Sequence, residues 1–271
     1  MLGGANYLSK WRRSFALGFG VAILFAAGTA TIGTMHHVMW LATDRAPRLT
    51  EDAESSDFEV PIISALRQSA RESQWRNEIH AAGFFLLMQS DNDGKLPAGG
   101  AYAEDGTGLL GWGARALRGS YATEWNLDAS WRQGENAVQC KCLIEQYIRP
   151  DVDRTNLFDA NGFGLSQLAG NVHVLGINRQ MSLDEMSDGL SETILIGEAT
   201  ERLRPWCDPA NVRDPRDGIN QVPWGFGAPP HVHGATFLMC DGRVRTISED
   251  IDPTVLKALA TPNGGEETVF D

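Results

Sequence analysis

Apolar positions along this chain fall into three patterns, and each predicts a different element. The first is a continuous run. Ser14 to Met35 reads SFALGFGVAILFAAGTATIGTM, and from Ser14 to Thr43 there is no formally charged residue. About 20 helical residues cross a ~30 Å hydrocarbon layer, so the run is long enough to span a membrane. The second pattern is helical. From Ile62 to Ser90, Ile63, Leu66, Ala70, Ile79, Ala82 and Leu86 recur mostly three or four apart. This predicts an amphipathic helix opened by Pro61 in its first turn, with Arg67, Arg71, Glu72 and Arg76 on the wet side. Asp91-Asn92-Asp93-Gly94 is expected to end it. The third pattern is short and strand-like. Residues 97–180 are rich in Gly, Asn and aromatics, which suits short strands joined by turns. Thr193–Gly197 reads as a buried strand. Ala235–Cys240, Asp241-Gly242 and Arg243–Ile247 read as a hairpin on a two-residue type I′ turn. A last short helix is capped by Asp252, opened by Pro253, packed through Val255, Leu256 and Leu259, and closed by Pro262-Asn263-Gly264-Gly265.

Charge orients these elements. Lys10, Arg12 and Arg13 precede the apolar run, whereas Asp44, Glu51, Asp52, Glu54, Asp57 and Glu59 follow it. Basic flanks stay cytoplasmic, so the predicted topology is a single-pass inner-membrane protein with its N-terminus inside and its C-terminal domain outside. Residues 1–13 form the basic segment, 14–43 the anchor and its flank, 44–60 an acidic linker, and 61–271 an α+β outer domain with a helix packed on an antiparallel sheet and long loops. Three treatments of the apolar run stay open: an uncleaved anchor, a signal cleaved near Gly28 and Ala30, or a buried helix of a soluble cytoplasmic protein. The run exceeds the roughly 7–15 residues of a signal core, which favours the anchor, and the first two export the rest. Over all 271 residues, 23 Lys+Arg stand against 35 Asp+Glu, a net charge of −12 that repels a phosphate backbone. The lipid bilayer is therefore an expected partner and nucleic acid is not.

Several segments, taken in order, resemble a pilin-like family of unknown function abundant in planctomycetes and marked by a C-terminal H-x9-DG motif. His231 is followed by nine residues, then Asp241-Gly242. The stretch after it, through Gly264-Gly265-Glu266, is similar to the family's ending. Asp188-Gly189-Leu190-Ser191-Glu192-Thr193 resembles its DGTSNT segment and runs into Ile196-Gly197-Glu198. Pro205-Trp206, Trp131 with Asn136, and the segment from Ala65 to Pro97 match in order, so the resemblance covers roughly residues 61–267. It implies a pilin-like fold related to type II secretion pseudopilins, partners among pilin-like or secretion proteins, and action by assembly or scaffolding rather than catalysis. The implied motif residues are structural: Asp188, Gly189, Ser191, Thr193, Glu198, Trp206, His231, Gly234, Asp241 and Gly242. Family members carry Arg-Arg-Gly before a Phe-Thr-Leu-Val-Glu run. Here Arg12-Arg13-Ser14-Phe15 makes Ser14 and Phe15 the candidate processing position, and Phe19 stands where the Glu would be. The family's Cys before Pro-Ser-Asp appears as Arg149 before Pro150-Asp151.

Chemistry-bearing patterns fall short of catalytic or cofactor motifs. His231 and Asp241 flank a strand that spans about 20 Å, so Asp241 is assigned to the turn and His231 to contact with another segment, Glu198 or Trp206. His231-x-His233 with Cys240, and Cys140-x-Cys142 with Cys207, lack the gaps of structural zinc sites, so no metal and no cofactor is expected. A disulfide from Cys140 or Cys142 to Cys207 suits an oxidising compartment, with Cys240 a core residue. Asp91-Asn92-Asp93-Gly94 is no calcium loop, because Gln89 and Gly100 fall at its end positions. Gly189-Leu190-Ser191-Glu192-Thr193 lacks the last glycine of a nucleophile elbow, so no catalytic residue is assigned and a hydrolase is a distant alternative. The other alternative is a surface binding module whose Trp112, Trp125, Trp131, Trp206 and Trp224 hold glycans.

Overall fold

The computed structural model describes residues 61–118 and 125–265. Segments 1–13, 14–43 and 44–60, with Ser14 and Phe15, lie outside the described residues. No helix among the described residues is long and apolar enough to cross a membrane. The chain divides, within the longest helix among the described residues, into two units, Met1–Ala70 and Arg71–Asp271.

That helix, α1, runs Pro61–Asp93 and is followed by Gly94 in the left-handed conformation at φ +72°. In the first unit Ala65 to Ala70 are all exposed, with Leu66 59% exposed, so two residues expected on the apolar stripe lie off it. Helical geometry gives the reason. On an ideal helix of about 100° per residue, position 66 falls out of phase, by about 180°, with position 75, where the true stripe starts. In the second unit that stripe is Trp75, Ile79, Ala82 and Leu86, all fully buried. Glu72, expected on the wet side, is only about 20° off the line of Ile79 and turns inward as well.

The α+β content predicted from the sequence is present, with antiparallel sheets and a helix against the largest of them. Strands β1 (Gly100–Tyr102) and β2 (Gly108–Gly111) pair with each other. Two short helices, α2 (Trp112–Ala116) and α3 (Gly134–Cys140), follow. Strand β3 (Leu165–Ser166) pairs with β6 (Arg204–Pro205). The main sheet has the order β7-β4-β5-β8-β9, from β4 (Leu168–Asn171), β5 (Ile194–Glu198), β7 (Val212–Arg213), β8 (Ala235–Met239) and β9 (Val244–Ile247). One pair departs from the expected antiparallel sheet: β4 and β7 run parallel.

Helix α1 lies across β8 so closely that a Cβ at Gly83 would fall 2.2 Å from a Leu238 methyl carbon. Arg76 adds hydrogen bonds to the Thr246 hydroxyl (3.0 Å) and the Val244 carbonyl (2.9 Å) on β9. On the other face Ala235, Phe237 and Met239 pack with Ile219, Phe226 and the last helix, α4 (Pro253–Ala260). Asp252 caps α4 by accepting from the Thr254 N–H at 2.7 Å. Both faces of β8 are thus covered, where the alternation alone suggested one stronger face.

The β8–β9 turn also differs from expectation. Gly242 has φ +86° but Asp241 is not left-handed, whereas a type I′ turn needs both. The Gly242 N–H instead reaches the Met239 carbonyl (3.0 Å) and the Met239 N–H reaches the Arg243 carbonyl (2.9 Å). This is a three-residue loop with Gly242 as its bulge, so Cys240 belongs to the turn rather than to the strand.

Candidate functional site

Among the described residues, one polar cluster is built around a charge in the interior. Ile148 and Arg149 follow a 3-10 turn at Glu145–Tyr147, and the Arg149 backbone N–H is held by Gln167 Oε1 at 2.8 Å. Its guanidinium is fully buried and reaches three carboxylates, two of them from distant parts of the chain and the third two residues on. It donates to Glu198 Oε1 on β5 at 2.5 Å, to Glu72 Oε1 on α1 at 2.5 Å, and to Asp151 at 2.9 and 3.2 Å. The Trp75 ring, one turn beyond Glu72, lies 5.7 Å from the guanidinium carbon. Glu198 is completed from β8, where the Thr236 N–H donates to its other oxygen at 3.1 Å.

Burial and pairing oppose each other at every member. Burial works against the charge of Arg149, but Asp151, Glu198 and Glu72 outweigh it and hold the guanidinium more firmly protonated than usual. Burial likewise pushes Asp151 upward, yet the hydrogen bonds and charge of Arg149 bring it below the ordinary range, and His231 adds to that lowering. Glu198 goes the other way. Its complete burial raises it despite Arg149, Thr236 and Trp75. The Trp75 indole N–H is buried without an acceptor at hydrogen-bond distance.

His231 meets this cluster from the exposed side. One ligand atom from each of Glu72, Asp151 and His231 lies within 4.8 Å of the others. The expected neighbours were Glu198 or Trp206. Glu198 instead sits behind Arg149, and Trp206 is buried elsewhere, donating to the Cys142 carbonyl at 2.8 Å and packing edge-on to Trp125.

The remaining motif residues serve the backbone. Asp241 accepts from the Arg243 N–H at 2.9 Å within its turn. Gly234 has φ +136°, and a Cβ there would fall 2.3 Å from the Ile247 carbonyl oxygen. Asp188 accepts from the Gly264 and Gly265 N–H groups at 2.6 and 3.1 Å, joining two segments that the resemblance paired only in order. Gly189, at φ +97°, gives its carbonyl to the buried Thr193 hydroxyl at 2.9 Å. Ser191 is half-buried and donates to Glu192 at 3.2 Å. No family model, curated protein or solved structure matches the chain.

Cys140 is bonded to Cys207 with a Cα–Cα separation of 5.8 Å, which takes both cysteines out of any zinc set. Cys142 is an exposed thiol, whereas Cys240 is buried, and burial raises its thiol far above the usual range. The five tryptophans do not form a common platform. Trp112, Trp131 and Trp206 are core residues and Trp125 is half-buried, but Trp224 is 56% exposed. Trp224 borders an open groove of about 580 Å³ with Arg202, Arg204, Asp214 and Asp217. Arg213 braces that rim from beneath by donating to the Gly225, Glu201 and Arg202 carbonyls.

The Arg149 cluster was missed at the sequence level, though one signal was available. A charged residue follows Tyr147-Ile148 at a position where the resembling family carries Cys. Its partners come from separations of 77 and 49 residues, which no local spacing reveals.

Proposed function

We propose that this chain is a membrane-anchored, outward-facing pilin- or pseudopilin-like envelope protein that acts by assembly or scaffolding rather than by catalysis. The observation that carries this reading is the division of labour along α1. Its later turns bury an apolar stripe against the sheet, whereas the turns from Ala65 to Ala70 expose every side chain, Leu66 included. Isolated helices are marginal in water, so a helical segment with no buried face is suited to a role outside its own domain. The uncharged run of residues 14–43 before it and the motif order of residues 61–267 support the same reading. The Cys140–Cys207 bond suits an oxidising compartment. The polar cluster is consistent with it too, because Arg149 is spent on internal pairing.

The test is made on the full-length chain with a C-terminal tag and a photocrosslinking residue at Leu66. The expected result is retention in the membrane pellet after alkaline extraction, loss of the tag to protease added outside spheroplasts, and crosslinked species that include another envelope protein or a second copy. Soluble chain protected inside the cell overturns the reading. One observation favours the alternative of a surface binding module: Trp224 is exposed beside a groove lined by charged side chains. Saturable glycan binding abolished by Trp224→Ala supports that alternative.

A further inference from the structure

We propose that Glu72, Asp151 and His231 form a binding site for a divalent transition-series cation of the zinc type. The three residues come from α1, from the segment after Arg149, and from the loop before β8, so the fold alone brings them together. Ligand atoms about 2.1 Å from a tetrahedral zinc ion are about 3.4 Å apart. Atoms that already lie within 4.8 Å of one another need to close by about 1.4 Å at most. His231 can supply that movement, because it is exposed, lies in a loop of turns and bends, and makes no hydrogen bond among the described residues.

Arg149 prepares the carboxylates without using them up. It donates to Glu72 Oε1 and to both oxygens of Asp151. Glu72 Oε2 takes no hydrogen bond among the described residues, and each Asp151 oxygen keeps a lone pair. Hydrogen bonds from behind orient metal-binding carboxylates in this way. Charge points in the same direction. Glu198, fully buried, is the natural counter-charge of Arg149, which leaves Glu72 and Asp151 as two negative charges in excess. A divalent cation cancels them.

The donor set selects the metal class. Calcium and magnesium favour all-oxygen shells of six or more ligands, whereas two carboxylates and an imidazole suit zinc, cobalt or manganese. Three protein ligands leave further positions to water. Local spacing carries no sign of this site, because zinc motifs are read over short gaps and here the ligands are 79 and 80 residues apart.

The proposal is independent of the scaffolding reading: an anchored chain that binds no metal leaves that reading intact. It is tested on the full-length protein in detergent, stripped with EDTA and titrated calorimetrically with Zn2+, with Co2+ as a spectroscopic probe. The expected result is one saturable Zn2+ per chain, weakened about tenfold or more by His231→Ala and by Glu72→Gln, and unchanged by His233→Ala. The apo melting temperature of His231→Ala should equal that of the wild type, because His231 is exposed. Absence of saturable Zn2+ binding, or a loss smaller than about tenfold in His231→Ala, overturns the proposal.

Discussion

Arg149 shows what a single buried charge does to its surroundings. Its guanidinium has no exposed surface and Glu198 has none either, so removal of one leaves the other uncompensated. Breaking such a pair costs roughly 3–5 kcal/mol, and Arg149→Met should lower unfolding free energy in urea by about that amount. Adding Glu198→Gln should restore part of the loss. Burial raises the folded pKa of Glu198, so folding opposes its ionisation to the extent that Arg149 does not compensate it. In Arg149→Met, stability should therefore be greatest below about pH 4.5 and fall as pH rises through the folded value. Asp214 has the opposite sign. Burial pushes it up, but Arg216 and His173 outweigh that and hold it at about 2. Its contribution should be complete above the ordinary value of 3.8 and disappear as pH falls towards about 2. Acid titrations of stability for the wild type and Asp214→Asn should differ in that window and converge below it. At this scale the sequence was informative about turn residues. Asp241, Gly242 and Gly189 perform local tasks that their types announce. It was silent about Arg149, because an arginine before Pro-Asp reads as an ordinary surface turn until Glu72 and Glu198 arrive from elsewhere.

Elements with local signals were legible. The β8–β9 hairpin and α4 form where Asp241-Gly242 and Asp252-Pro253 place them. The turn type was misread because Asp-Gly fits both a two-residue turn and a three-residue turn with a glycine bulge, and only the strand register separates them. The short strands β3, β6 and β7, of two residues each, carry no periodicity to detect. In α1 the stripe was drawn through Leu66 and Ala70 when Trp75 sets its true phase. The disulfide fixes α3 to the segment after β6 across 67 residues. Reduction should cost about 2–4 kcal/mol, measured as a fall in unfolding free energy, with Cys140→Ser/Cys207→Ser giving the same loss. Native, non-reduced protein should take up one alkylating group, at Cys142. Cys240 should react only after unfolding. Two groups added to the native protein would contradict the burial of Cys240.

At the scale of the whole molecule, the described residues from Arg71 onward form a sheet covered on both faces and crossed by a helix, and that arrangement has a mechanical side. Any tension arriving along the chain ahead of residue 72 is applied to the start of the packed part of α1. The first resistance it meets is Glu72 gripping Arg149, followed by Trp75 beneath the same guanidinium and then by Arg76 on β9. Peeling this helix from its N-terminal side thus means tearing out a short charged contact braced by Glu198 before any apolar zipper opens. In a single-molecule pull through the N-terminus, Glu72→Gln should lower the force of the first rupture. The same substitution should leave a pull from the C-terminal end unchanged. The packed part of the helix is thereby latched where such strain enters.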